Sequence, residues 1–331
     1  MTRAYGLGPL PGTSVAEACD VIVSETGGLP HIPQLPDRGL GSDPVGRTAS
    51  LLEAVHVDRG PRSWRMSPRP QLISRRTADR LERDLDECQA AWNRTLPAVK
   101  IQLTGPWTLA GAIELADGHR VLTDRGALRD LTDALIDGAN LHIADVARRF
   151  GAAEILVQLD EPWLTDVVAG NLPGTTRLDE VRAVHPRDAG KRLAHVVDNL
   201  DAGEVALNLT GQIPEWEVVR LSGVQTLQLT LDSITGTRQL DALGEAVSGG
   251  LRIGVGVTAA GEEIDERQEK PRTRAMDIAR VWRELSLDPS QLREVDVHPK
   301  GALSGSLLDA SRAYAMAQAV AGILDRDAGN L

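Results

Sequence analysis

Aromatic side chains are scarce in this chain: one Phe, two Tyr and six Trp give 3% of 331 residues. A buried core must therefore be built from Leu, Val, Ile and Ala. Cysteine is nearly missing. Cys19 and Cys88 lie far apart in helix-like segments, which sets up neither a disulfide framework nor a metal-ligand cluster. A reducing cytoplasm is the setting that this usage suggests. No run of about 18 apolar residues occurs, so no membrane-spanning helix is expected. The opening Met1-Thr-Arg-Ala-Tyr-Gly6 has no apolar signal-peptide core. Positive charge is in the minority, 36 Lys and Arg against 47 Asp and Glu, net −11. With no basic stripe and no interleaved aromatics, a nucleic-acid surface is not expected.

Short apolar runs recur, each followed by an amphipathic stretch. The expected strands are 4–8, 63–67, 99–104, 155–160, 205–209, 226–231, 251–257 and 294–297. The expected helices are 14–27, 74–96, 124–150, 186–200, 213–222, 238–247, 273–285 and 307–324. Alternating strands and helices argue for βαβ units and a parallel sheet. Eight units in this length fit an α/β fold of the (β/α)8 TIM-barrel type, as a single domain over residues 1–331. A doubly wound open sheet is the competitor. Its Gly-x-Gly-x-x-Gly fingerprint is missing from Gly6-Leu-Gly8-Pro-Leu-Pro-Gly12. The Pro- and Gly-rich stretch 27–46 reads as a long loop excursion, kept extended by Pro30, Pro33, Pro36 and Pro44.

In such a barrel the chemistry sits at the carboxyl ends of strands. The most pointed end is Gln158-Leu-Asp160-Glu161-Pro162, where a buried strand opens into two adjacent carboxylates and a proline. A capped turn with two solvated acids is the plainer alternative. Gly8 would let a ligand approach the backbone after the first strand. Trp107 would wall a pocket or pack on the rim. Asn208 and Thr210 are two apart and expected to share a face, as are Thr230 and Asp232. His298 and Lys300 place polar groups at the last strand end.

Leu103-Thr-Gly-Pro-Trp-Thr-Leu109, followed by Gln158-Leu-Asp-Glu-Pro-Trp-Leu164, resembles the catalytic barrel of cobalamin-independent methionine synthase. The wider superfamily includes uroporphyrinogen decarboxylase. The resemblance runs from Gly8 to the Pro299-Lys-Gly301 turn and implies a short form with one barrel. It implies transfer of a methyl group from methyl-tetrahydrofolate to the sulfur of homocysteine. The family uses zinc to hold that sulfur as thiolate, because a thiol of pKa about 8.5 is mostly protonated at neutral pH. The family's His-x-Cys pair aligns with Asn208 and Thr210, its carboxylate with Thr230 and its second cysteine with Lys300. These are poor zinc ligands, and neither cysteine falls in the region that should supply thiolates. No zinc and no other cofactor is therefore expected.

The resemblance further implies that Asp160 meets the amino group of the substrate and that Gly8 lies near its carboxylate. A serine of the family appears there as Pro9. Glu161 and Asp166 would approach the pterin end. Trp107 and His298 complete the expected substrate site. The expected partner is a small molecule, an amino acid or folate-like.

Three readings follow. One is a divergent, zinc-less methyltransferase in which Asp160, Glu161 and Lys300 act, the Lys300 charge standing in for the metal. A second is a non-catalytic barrel that binds or senses a ligand. A third follows the decarboxylase branch and would use Arg38, Arg47, Arg62, Arg65 and Arg69 against an acidic macrocycle. A metal held by Asp160, Asp232 and His298 is a further variant.

Overall fold

The alternation along each strand decides the architecture. In the strand Glu154–Asp160, Ile155, Val157 and Leu159 join the main apolar core, while Gln158 and Asp160 point to the opposite face. The neighbouring strands alternate in the same register, so one face of the sheet is apolar and packs on helices. The other face carries Lys, Gln, Asn, Thr, Asp and His. A parallel sheet with one polar face must curl that face inward or line it with bound groups.

A computed structural model describes residues 1–26, 28–175, 180–259 and 269–331. Gly27, the expected end of the first helix, lies outside the described residues. The strands in chain order are β1 (His56–Arg59), β2 (Trp64–Ser67), β3 (Ala98–Thr104), β4 (Ile113–Glu114), β5 (Glu154–Asp160), β6 (Glu204–Asn208), β7 (Thr226–Leu229), β8 (Arg252–Thr258) and β9 (Asp296–Pro299). Six of them form one parallel sheet in the order β3-β5-β6-β7-β8-β9. Helices connect successive strands, and one apolar core joins residues from Ala4 to Ala328.

The expected closed barrel of eight regular strands does not form: the sheet is a curled six-stranded one. Residues 4–8 are extended but held by single bridges. Tyr5 N donates to Val297 O at 3.2 Å, and Val297 N to Arg3 O at 2.8 Å. The expected second strand, 63–67, lies elsewhere. As β2 it pairs antiparallel with β1 and parallel with β4 in a separate three-stranded sheet. The place beside β3 goes to part of the expected excursion. Ile32 N donates to Lys100 O at 3.0 Å and Lys100 N to Pro30 O at 2.9 Å. Residues 29–35 are buried rather than looped out. The two bridged segments also meet, with Leu10 N to Gln34 O at 2.9 Å and Gln34 N to Gly8 O at 3.0 Å. Pro9, Pro30 and Pro33 lack N–H donors, so neither segment can continue a ladder.

Local signals set several helix ends. Asp124 accepts from Ala127 N at the start of helix Arg125–Phe150, and Gly151, with φ 59°, ends it. Ser306 and Asp309 form a capping box on helix Leu307–Asp327. Helices Val15–Glu25 and Leu72–Trp92 bring the two cysteines together, with Sγ atoms 3.2 Å apart and both side chains fully buried. Sequence distance had separated them. The hydrogen bond with the Cys19 thiol, and then burial, raise the Cys88 pKa. Both thiols should resist a water-soluble disulfide reagent in the native protein and react together on unfolding. Fast native labelling would show that the helices part readily. Among the described residues, no helix is long and apolar enough to cross a membrane.

Candidate functional site

The polar inner face of the sheet is layered. Near the amino ends of the strands, Arg3 donates to Glu204 at 2.6 and 2.8 Å and to Asp296 at 2.5 Å. Arg252 adds a contact to Asp296 at 3.1 Å. Tyr5 reaches Asp296 at 3.3 Å and takes a hydrogen bond from Gln228 at 3.1 Å. This network closes the floor.

Above it, Lys100 is wholly buried. Its Nζ donates to Gly6 O at 2.9 Å, and the Tyr5 ring centroid lies 5.3 Å away. With its amide turned to donate to Ile32 O, Gln102 also accepts from Lys100 Nζ at 3.2 Å. Gln158 Nε2 donates to Leu7 O at 2.8 Å. Lys100 and Gln158 thus fasten the bridged first segment through its carbonyls. Gly8 sits in this contact with φ 117°, and a Cβ there would come within 2.9 Å of the Gln102 side chain. Any other residue would pay both in backbone strain and in packing.

At the mouth stands Asp160. One carboxylate oxygen accepts from Gln158 Nε2 at 2.6 Å and from Asn208 Nδ2 at 2.7 Å. No described residue donates to the other oxygen. Burial raises the Asp160 pKa to about 6, although Asn208, Lys100 and Gln158 pull the other way. Burial lowers Lys100 to about 7, and Asp160 partly opposes that shift. The second oxygen of the Asp160 carboxylate has room for a cationic donor.

His298 is fully buried and stacks on Tyr5, with centroids 6.0 Å apart. Its Nδ1 lies 2.7 Å from Pro299 O, and a carbonyl only accepts, so that nitrogen carries the proton. Nε2 is left as an acceptor with no partner among the described residues. Burial pushes the imidazole pKa down to about 4, so it is neutral. Lys300 Nζ pairs with Asp232 at 2.5 Å on the rim, where the Asp232 side chain is 76% exposed.

Several expected positions move. Asn208 and Thr210 do not share a strand face: β6 stops at Asn208, whose Oδ1 accepts from Thr210 N at 3.0 Å in a turn. Thr230 and Asp232 part as well, because β7 stops at Leu229 and a short 3-10 helix begins at Leu231. Asp166 is exposed on helix Leu164–Ala169. Trp107 is buried and donates to Ala189 O at 3.0 Å. Glu161 turns away from the mouth and is fully buried. Its carboxylate accepts from Trp107 N at 2.8 Å, Thr108 N at 2.7 Å and Thr108 Oγ1 at 2.6 Å. It thereby caps helix Pro106–Ala112, which has no side-chain cap of its own. Burial raises its pKa to about 7 against these donors. Gly105 makes the approach possible: a Cβ there would lie 2.4 Å from Glu161 Oε1.

Three arginines of the decarboxylase reading are committed to ion pairs. Arg38 and Arg47 pair with Asp84, and Arg62 pairs with Glu114. Among the described residues, no group of three or more His, Cys, Asp or Glu is placed to hold a metal. The positions that the sequence resemblance sets against zinc ligands are engaged elsewhere. Asn208 spends both ends of its amide on Asp160 and Thr210, and Lys300 brings a cation.

Lys100, Gln102, Gln228 and Tyr5 were not singled out from the sequence, and Gln158 was named only as part of the strand-end motif. Their signal was present as polar residues at every second position inside apolar strands, a pattern that implies a polar sheet face.

The buried lysine makes stability depend on pH. Its folded pKa lies below its unfolded value. Between about 7 and 10.5 the unfolded chain therefore binds more protons, and stability rises with pH across that window. The slope approaches about 1.4 kcal/mol per pH unit for one proton. Urea unfolding from pH 7 to 9.5 should show this rise in the native protein and a flatter profile in Lys100→Met. Equal slopes would mean that Lys100 keeps its ordinary pKa.

No protein-family model matches the chain, and no curated protein matches it. Among solved structures the chain is similar to a B12-independent methionine synthase from Shewanella sp. W3-18-1 in complex with selenomethionine. The identity is 13% over 81% of this chain and 72% of that one, with a TM-score of 0.48. A likeness of that size carries no argument about reaction or ligand.

Proposed function

We propose that this chain is a divergent, methionine-synthase-like methyltransferase barrel that takes a small amine-bearing substrate at Asp160 without the family's zinc. The observation that carries the reading is the Asp160 carboxylate. It is held from one side by Gln158 and Asn208, and its second oxygen has no donor among the described residues, at the carboxyl end of a parallel strand. An ammonium group would satisfy that oxygen by a charge-assisted hydrogen bond. The sequence resemblance around Leu103–Leu109 and Gln158–Leu164 supplies the reaction class. Lys300, paired with Asp232 on the rim, would have to leave that partner to stabilise a thiolate or another anion. It cannot coordinate sulfur, so transfer to homocysteine would be far slower than with a metal. In this reading the pterin role moves away from Glu161, whose oxygens are committed to helix Pro106–Ala112.

The test pairs calorimetric titration of homocysteine, methionine and methyl-tetrahydrofolate with a methyl-transfer assay and zinc analysis of protein purified without chelator. The reading expects amino-acid binding that Asp160→Asn weakens by about tenfold or more, slow transfer that Lys300→Ala abolishes, and no retained zinc. Tightly held zinc, or binding indifferent to Asp160→Asn, would overturn it.

One observation favours a non-catalytic ligand-binding barrel as second reading. Lys300 is already neutralised by Asp232, which leaves the rim without a free cation at that point. Binding without transfer, unchanged in Lys300→Ala, would select it.

A further inference from the structure

A second concave region lies on the outside of the same end of the sheet. Helix Arg125–Phe150 leads back into β5 and helix Pro186–Asp198 into β6, so both begin at the carboxyl-end side of the strands. Between their starts runs a groove of about 1040 Å³. Arg125, Arg182, Lys191 and Arg192 line it, and Glu180 and Asp188 oppose them. Other basic side chains along it are already committed: Arg129 to Asp130, and His195 to Asp133.

The four remaining cations are three exposed side chains and one half-buried arginine. Arg125, Arg182 and Lys191 are exposed and form no ion pair among the described residues. Arg192 is half-buried, its guanidinium 5.4 Å from the Trp107 ring, and it donates to Thr132 Oγ1 at 2.9 Å. Its Nε is buried with no partner. Burial lowers its pKa, and Asp133 opposes that. A chain of net charge −11 thus concentrates four unpaired cations against two carboxylates in one cavity. The starts of two long helices add the positive ends of their dipoles to the same place. Such a field attracts anions with several charged oxygens, spaced widely enough to meet both walls.

We propose that this groove binds a multivalent oxyanion, a polyphosphate or polycarboxylate, between Arg125, Arg182, Lys191 and Arg192. The site is separate from Asp160 and does not depend on the reaction proposed there. Tripolyphosphate and citrate are the two probes, titrated calorimetrically into the whole chain at about physiological ionic strength. The comparison uses Arg125→Gln/Arg182→Gln/Lys191→Gln and a control set on another face, Arg75→Gln/Arg76→Gln/Arg83→Gln. Circular dichroism melts check that both sets fold.

At least one anion should bind the native chain and the control set alike, and bind the groove set about tenfold or more weakly. Tripolyphosphate alone would identify a phosphate ligand, citrate alone a polycarboxylate, and both a site that reads charge. No binding of either anion overturns the proposal. Equal weakening in both sets does so too, since it would report net charge and not this groove.

Discussion

Arg3→Ala should cost about 3–5 kcal/mol of folding stability, although residue 3 lies at the edge of the sequence. Arg3 is the hub of the floor. Its guanidinium binds Glu204 through two nitrogens and Asp296 through three contacts, and Asp296 is wholly buried. Removing it leaves two carboxylates enclosed with Arg252 as the remaining cation. Burial already pushes the Asp296 pKa up, and Arg3 and Arg252 hold it down. Without Arg3 it rises further, so the folded variant holds a proton that the unfolded chain releases. Stability of the variant then falls as pH rises above the usual carboxylate range. Urea unfolding should show a gap between native and variant that widens from pH 4.5 to 7. Arg3→Lys should recover little, because one ammonium cannot make the forked contacts. A loss under about 1 kcal/mol would mean that the floor is open to water.

Glu161→Ala should be comparably damaging, by about 3–5 kcal/mol, for a different reason. Its carboxylate is the cap of helix Pro106–Ala112, supplied from the neighbouring strand end. Truncation orphans two backbone N–H groups and the Thr108 hydroxyl in a buried place, at about 1–3 kcal/mol for each group. Trp107 rides on that helix, so near-ultraviolet circular dichroism should change together with stability. Asp160→Asn, one residue earlier, should leave stability nearly intact and act on ligand binding. If Glu161→Ala instead unfolds like the native chain and loses only turnover, the carboxylate serves chemistry and the capping assignment is wrong.

This adjacent pair shows where sequence reading reached its limit. Asp160-Glu161-Pro162 marked the strand end correctly. Both acids looked equivalent there, because no local pattern says which carboxylate finds backbone donors 53 or 54 residues away. Strand periodicity assigns Asp160 to the polar face with Gln158. It says nothing about Glu161, which lies just past the strand. The displaced second strand has a similar origin. Trp64–Ser67 has ordinary strand composition, whereas residues 30–34 carry prolines that argue against a ladder. Burial and single bridges, not propensity, put residues 30–34 beside β3.

The sequence by itself determined the α/β alternation, most helix extents, and the strand end at Asp160. These follow from period-2 and period-3.6 patterns and from caps, which act within a few residues of each other. Tertiary structure alone decided the pairing of Cys19 with Cys88, the Arg3 floor, the burial of Lys100 under Gly6 O and the gathering of cations between two helix starts. Each joins residues tens to hundreds of positions apart. Their energies come from desolvation and partner geometry, which exist only once the sheet has curled.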